Sequence, residues 1–276
     1  MINYIASYLS KFKVSMKKYI LLFLLSSFLF IHQNILSQTE KPKVVLVLSG
    51  GGAKGLAHIA TLQTLDSLGI VPDLIIGTSM GSVVGGLYAT GYSGDSIAAI
   101  AKTLDWSKIL GGSISLSNVS VEEKGQFKKY LAEIDLIKGK PKVNSAILND
   151  QKLRELFSLL TFPVLEIKDF NDLPIPFRSM TTDIVNGKEV ILDSGSLGLA
   201  MRASMSIPGV FSPVPYKNTL LVDGGILNNF AVDVAINMGG DIIIGSDVGG
   251  GMQPKEKLNS ISGLLFQASM LTSNLK

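Results

Sequence analysis

The chain has 276 residues, 46% of them hydrophobic and 17% charged, which is enough to bury a large core. Its formal charge of +3 comes from the start of the chain, where Lys11, Lys13, Lys17 and Lys18 are the only charged residues before position 38; the remainder carries 21 basic and 22 acidic groups. That balance, with no basic stripe, argues against a nucleic-acid partner, and zero cysteines exclude disulfides, thiolate nucleophiles, cysteine metal sites and a lipid-anchored leader.

Lys17-Lys18 precede a thirteen-residue apolar run, Tyr19 to Ile31, and a more polar stretch ending near Gln38. This is the order of a secretory signal peptide, and the run is short for a membrane-spanning helix. Residues 1–37 are therefore expected to be leader, with Met16 an alternative start and an uncleaved anchor the competing reading. Export to the periplasm, outer membrane or medium follows from that expectation.

Residues 41–276 are expected to form one domain in which strands alternate with helices, the signature of a parallel sheet covered on both faces. Val44 to Leu48 is a continuous apolar run suited to a central strand. A glycine loop leads into a helix from Leu56 to Leu68, stopped by Gly69. Leu74 to Ile76 predicts the second strand and Met80 to Ala89 the next helix. Ser93 and Asp95 cap a short helix through Leu104, and Gly111 to Ser120 reads as a glycine- and serine-rich loop. Gln151 to Leu160 has amphipathic helical spacing. Phe177 to Asp183 and Lys188 to Leu192 flank Asn186-Gly187, a hairpin signal. A helix over Leu197 to Ala203 precedes an irregular connection framed by Pro208 and Pro213. Thr219 to Val222 is a short strand ending in Asp223-Gly224-Gly225. Val232 to Met238 is a helix closed by Gly239-Gly240, and Ile242 to Gly245 the last strand. Asn259 to Leu275 has helical periodicity without a stop signal, as in a fragment of a longer protein.

Gly77-Thr78-Ser79-Met80-Gly81 sits between a strand and a helix, the context of a nucleophile elbow. Gly77 and Gly81 relieve crowding in the sharp turn that lifts the Ser79 hydroxyl towards a reaction site. The loop Gly50-Gly51-Gly52-Ala53-Lys54-Gly55 joins a strand to a helix, so its amides converge on an anion, phosphate or oxyanion. It also fits the dinucleotide fingerprint. That fingerprint needs an acid at the end of the second strand, whereas Asp73 precedes this strand and Ser79 occupies the place. The oxyanion reading is the better fit.

Ser79 needs a base, and the only histidines are His32, in the leader, and His58, in the first turn after the glycine loop. Neither follows Ser79 as a hydrolase triad requires, and His58 reads as a packing or hydrogen-bonding residue. An aspartate accepting the proton directly is the remaining solution. Asp223 follows a strand, and in a parallel sheet the carboxyl ends of strands share one rim. Local sequence alone favours a plain Asp-Gly turn.

The glycine loop, the elbow, the segment Ala203 to Phe211 and Asp223-Gly224-Gly225 together resemble the patatin-like phospholipase family, over about Lys43 to Gln253. The resemblance implies a three-layer α/β/α fold with a mainly parallel central sheet. It implies a Ser79–Asp223 dyad, an oxyanion hole around Gly51, Gly52 and Ala53, and hydrolysis of phospholipid acyl esters at a membrane surface without metal or organic cofactor. It also allows a C-terminal outer-membrane module. The departure is Asn229-Phe230-Ala231, where the family usually ends this triplet in proline. Lys54 is either a phosphate-attracting or a plain exposed lysine, Arg202 either pairs with a carboxylate or faces water, and Asp183 and Asp247 read as structural. Two readings compete: an esterase or thioesterase acting on soluble esters, and a silent nucleotide- or lipid-binding module.

Overall fold

The computed structural model describes residues 18–21, 23, 41–111, 135–137, 140–142, 150–259, 264, 267 and 271. The chain divides into two compact units, Met1–Pro42 and Lys43–Lys276. In the first, residues 18–21 and 23 are helical, and the rest of the expected leader lies outside the described residues. No described helix is long and apolar enough to cross a membrane.

The described residues of the second unit form nine strands. They are β1 (Val44–Leu48), β2 (Leu74–Thr78), β3 (Asp135–Ile137), β4 (Lys140–Lys142), β5 (Phe177–Asp183), β6 (Lys188–Leu192), β7 (Val214–Tyr216), β8 (Thr219–Asp223) and β9 (Ile242–Ser246). Seven of them form one sheet in the order β7-β8-β5-β2-β1-β9, with β6 also paired to β5, while β3 and β4 pair separately. The helices are α1 (His58–Leu68), α2 (Met80–Ala89), α3 (Gly94–Thr103), α4 (Trp106–Gly111), α5 (Gln151–Leu160), α6 (Leu197–Ser204) and α7 (Val232–Asn237).

The run Val45-Leu46-Val47-Leu48 is at most 1% exposed because the sheet is covered on both sides. Leu46 and Leu48 point to a large core shared with Leu62 of α1 and Val84 and Leu87 of α2. Val45 and Val47 point the other way, to Val234 and Ala235 of α7. This alternation is the three-layer α/β/α arrangement expected from the sequence. Helix α2 is buried at every residue, and on its face of the sheet it is the inner helix against which α1, α3 and α6 pack.

The sheet is mixed. Strands β9, β1, β2 and β5 run parallel, whereas β6 and β8 are antiparallel to β5 and β7 is antiparallel to β8. β5 is longer than β2, and its first part pairs with β2, Thr78 opposite Met180. Its last three residues pair with β8, Thr181 opposite Asp223. Because β6 takes the opposite edge of β5 over Ser179 to Asp183, β2 and β8 must share one edge, end against end. The carboxyl ends of β2 and β8 therefore meet head-on. This corrects the expectation that Asp223 reaches Ser79 along a common parallel rim.

Other boundaries shift slightly. β2 runs on to Thr78, a 3-10 turn over Gly52–Ala57 replaces the start of the first expected helix, and Gly69 caps α1 with φ 65°. Ser93 caps α3, its hydroxyl accepting from Ser96 N. Helix α4 and strand β7 appear where neither was expected. Beyond Gly111, the expected loop to Ser120 lies outside the described residues, as does most of the expected helix over Asn259 to Leu275.

Candidate active site

Ser79 stands between β2 and α2 with φ 53° and ψ −121°, buried to 6% exposure. Lys217 is the other described non-glycine residue with positive φ. Such a backbone costs about 1–3 kcal/mol and survives only where the surroundings over-determine it. Close packing supplies that constraint. A Cβ on Gly81 would lie 2.3 Å from Leu48 O, and one on Gly77 would lie 2.5 Å from Gly81 O. Both flanking glycines are thus needed for backbone approach, as the motif implies. The Ser79 amide donates to Ser204 Oγ at 2.8 Å, and Ser204 Oγ donates in turn to Met180 O at 2.6 Å.

The Ser79 hydroxyl donates to Asp223 Oδ2 at 2.7 Å. Asp223 is fully buried, and its other oxygen accepts the Gly225 amide at 2.8 Å. Burial pushes its carboxyl up to about 6, against the opposing hydrogen bonds from Ser79 and Gly225. At neutral pH the carboxylate is therefore ionised, basic for its kind, and already holding the hydroxyl proton.

The last turn of α6 and the residues just after it tie both groups down. Ser204 holds Ser79, and the Asp223 amide donates to Ser206 O at 3.0 Å. Arg202, 1% exposed, locks this segment: Nε and Nη2 reach Asp150 Oδ2 at 2.7 and 2.6 Å, and Nη1 donates to Ser206 Oγ. Its guanidinium also lies 5.0 Å from the centroid of the Phe211 ring. Of the two sequence readings for Arg202, pairing with a carboxylate is the one observed. The site roles of Ser204, Ser206 and Asp150 were not read from sequence; the signal available was Ser-x-Ser within an otherwise apolar stretch.

The glycine loop lies beside the elbow. Gly50 exchanges hydrogen bonds with Asn229, its amide donating to Asn229 O at 3.2 Å and its carbonyl accepting Asn229 Nδ2 at 3.1 Å. The Lys54 amide donates to Gly51 O at 3.2 Å. Gly50 and Lys54, both expected among the oxyanion-loop residues, thus have occupied amides. Those of Gly51, Gly52 and Ala53 donate to no acceptor among the described residues and lie in the turn leading to α1. Gly55 is buried, packed against Met80. The Lys54 side chain is exposed. Ala231 holds φ −73°, a value that proline also adopts, so the departure from the family triplet leaves this turn's backbone unstrained.

His58 makes no hydrogen bond with Ser79 or Asp223. It is fully buried, with Nε2 2.8 Å from Ser49 O and Nδ1 2.8 Å from Ser246 Oγ. A carbonyl can only accept, so Nε2 carries the proton and Nδ1 accepts from the serine. Burial lowers its pKa and keeps the ring neutral. The imidazole thereby links the end of β1, where the glycine loop starts, to the end of β9. Asp183 caps the β5–β6 hairpin through the amides of Val185 and Asn186, and these bonds with Thr219 and Asn186 side chains hold its carboxyl down to about 2. Asp247 accepts the Gly249 amide at 2.8 Å. Both are structural contacts, as expected. Among the described residues no group of three or more His, Cys, Asp or Glu side chains is placed to hold a metal ion.

A family model described as Patatin-like phospholipase matches residues 46–236. The chain is 33% identical over 212 residues to an uncharacterized NTE family protein of Mycobacterium tuberculosis, covering 77% of this chain and 51% of that protein. It is 34% identical over 208 residues to Lysophospholipase NTE1 of Scheffersomyces stipitis, covering 75% of this chain and 12% of that protein. Among solved structures, VipD from Legionella pneumophila aligns with a TM-score of 0.43 at 18% identity, over 69% of this chain and 47% of that one. The chain spans about half the length of the mycobacterial relative and much less of the other.

Proposed function

Since the chain belongs to the patatin-like phospholipase family, we propose that it is a serine hydrolase of the phospholipase or lysophospholipase type, with Ser79 as nucleophile and Asp223 as its base. The observation that carries this reading is the 2.7 Å bond from a strained, buried serine hydroxyl to a buried carboxylate. Ser79 Oγ attacks the ester carbonyl carbon while its proton passes to Asp223 Oδ2. The carbonyl oxygen, now negative, is received by the Gly51, Gly52 and Ala53 amides; one such donor contributes about 2.7–4 kcal/mol in comparable hydrolases. Collapse breaks the bond to the alcohol, which leaves with the proton from Asp223. Water then attacks the acyl-serine, gives its proton to Asp223, and the fatty acid leaves as Ser79 recovers its hydrogen.

Lipid is favoured as substrate because a relative is named a lysophospholipase, and the membrane surface is where such lipids are met. The basic, apolar, polar order of residues 17–38 supports export to the envelope. A C-terminal outer-membrane module belongs to the same proposal through family resemblance alone. The test is fatty-acid release from lysophosphatidylcholine micelles and diacyl vesicles. The full chain should release acid, and Ser79→Ala and Asp223→Asn should each lose at least about a thousandfold in rate. Wild-type rates in a folded Ser79→Ala variant would remove the assignment. Faster turnover of dissolved monomeric esters than of micelles would favour the soluble-ester reading.

A further inference from the structure

Asn229 ends the turn that follows Asp223, a turn closed by the Asn228 amide donating to Gly224 O at 3.0 Å. Its side chain reaches the other half of the site, 179 residues away in the chain, where Nδ2 donates to Gly50 O at 3.1 Å. A carbonyl can only accept, which fixes the amide nitrogen on that side. Packing is tight here. A Cβ on Gly50 would collide with Asn229 Oδ1 and lie 3.0 Å from Ser79 Cβ, so Gly50 is wedged between Asn229 and the nucleophile.

The peptide bonds of this loop are trans, so each carbonyl points opposite the amide of the next residue, and whatever holds the carbonyl aims that amide. In the Ser49–Gly50 peptide both ends are taken: Ser49 O accepts from His58 Nε2 at 2.8 Å, and the Gly50 amide donates to Asn229 O at 3.2 Å. In the Gly50–Gly51 peptide the carbonyl is held by Asn229 Nδ2, with the Ser49 hydroxyl donating to it at 3.3 Å, while the Gly51 amide has no acceptor among the described residues. In the Gly51–Gly52 peptide the carbonyl accepts the Lys54 amide at 3.2 Å, and the Gly52 amide has no acceptor among the described residues. The first open donor is thus aimed by side chains from outside the turn, and the second by the turn's own backbone.

We propose that Asn229 is a positioning residue for the oxyanion hole: through Gly50 O it sets the direction of the Gly51 N–H, a donor to the ester oxygen as negative charge develops there. The inference rests on the hydrolase reading above and adds a residue to it. Asp223 and Asn229 belong to one short segment, so the same turn sets the base against Ser79 and the brace against the glycine loop. The two halves of the site are thereby held in register. A donor of this kind acts on the transition state more than on the bound ester, so a misdirected Gly51 N–H lowers kcat and leaves KM nearly where it was.

The test compares kcat and KM of the full chain on nitrophenyl butanoate and on its thiono analogue, in which sulfur, a weak acceptor, replaces the carbonyl oxygen. Asn229→Ala removes the side-chain donor. Asn229→Leu removes it at similar size and serves if the alanine variant fails to fold, folding being read by circular dichroism. On the oxygen ester kcat should fall about ten- to a hundredfold with KM nearly unchanged, as expected for a donor displaced by a fraction of its bond length. The thiono ester should lose far less, so the preference for oxygen over sulfur shrinks by about fivefold or more. Equal losses on the two esters, a loss confined to KM, or failure of both variants to fold overturns the positioning role. If wild type hydrolyses no ester, the catalytic reading fails by itself, and hydrogen exchange at the Gly50 and Lys54 amides, read by NMR, decides whether Asn229 holds the loop. Exchange about tenfold faster in the variant upholds that hold; unchanged exchange overturns it.

Discussion

Asp223→Asn is expected to abolish turnover while making the protein more stable. The wild-type carboxylate is fully buried, and its pKa lies at about 6 in the fold against 3.8 for an ordinary aspartate. Between those values the unfolded chain has released a proton that the folded chain still holds. Unfolding is therefore favoured as pH rises through this window, and stability present below pH 3.8 is lost by the time pH passes 6. Keeping this carboxylate ionised inside the fold at pH 8 thus costs about 3 kcal/mol. Asparagine keeps the shape, can accept the Gly225 amide through Oδ1, and can donate to Ser79 Oγ through Nδ2, so it avoids the ionisation cost without leaving a cavity. For a domain of this size about 1 kcal/mol moves Tm by about 2–4 °C, which gives a gain of about 6–12 °C at pH 8. The gain should shrink towards zero as pH approaches 4. Thermal unfolding followed by circular dichroism between pH 4 and pH 8 measures it. An Asn variant that melts at or below wild type at pH 8, or with the same offset at both ends, would refute a buried ionised base.

The same titration sets an acid limb in kcat/KM with a midpoint near pH 6, falling tenfold per unit below it; a midpoint near 4 would mean that Asp223 is not the group being read. Ser204→Ala removes the acceptor of the Ser79 amide and the donor to Met180 O, leaving two buried backbone groups unsatisfied at a cost of about 2–4 kcal/mol. Its kcat should fall with KM nearly unchanged, and Ser204→Thr should recover part of the loss; a loss confined to KM would contradict a role in holding the elbow.

Continuous apolar runs made the strands legible. Val44 to Leu48 could only be a strand buried on both faces, and the glycine spacing around Ser79 announced the elbow because those positions touch backbone. Asp223 could be named from the sequence, but its route to Ser79 could not. Strand direction depends on register along β5, where β2 and β8 divide one edge, and no local pattern in Thr219 to Asp223 encodes that division. Likewise, the bracing of the site comes from polar groups far apart in the chain: Ser204 on Ser79, Asn229 on Gly50, and His58 between Ser49 and Ser246. Each is an ordinary residue in its own stretch. Only folding shows that it is buried, and burial is what obliges it to find a partner.

The proposed hydrolysis depends on one activated serine, and a fluorophosphonate probe reads that activation without assuming a substrate. Incubation of the full chain at pH 8, followed by intact-mass and peptide analysis, should show a single adduct on Ser79. The adduct should be absent in Ser79→Ala and strongly slowed in Asp223→Asn. No adduct on wild type, or one on another residue that survives Ser79→Ala, would contradict the central claim.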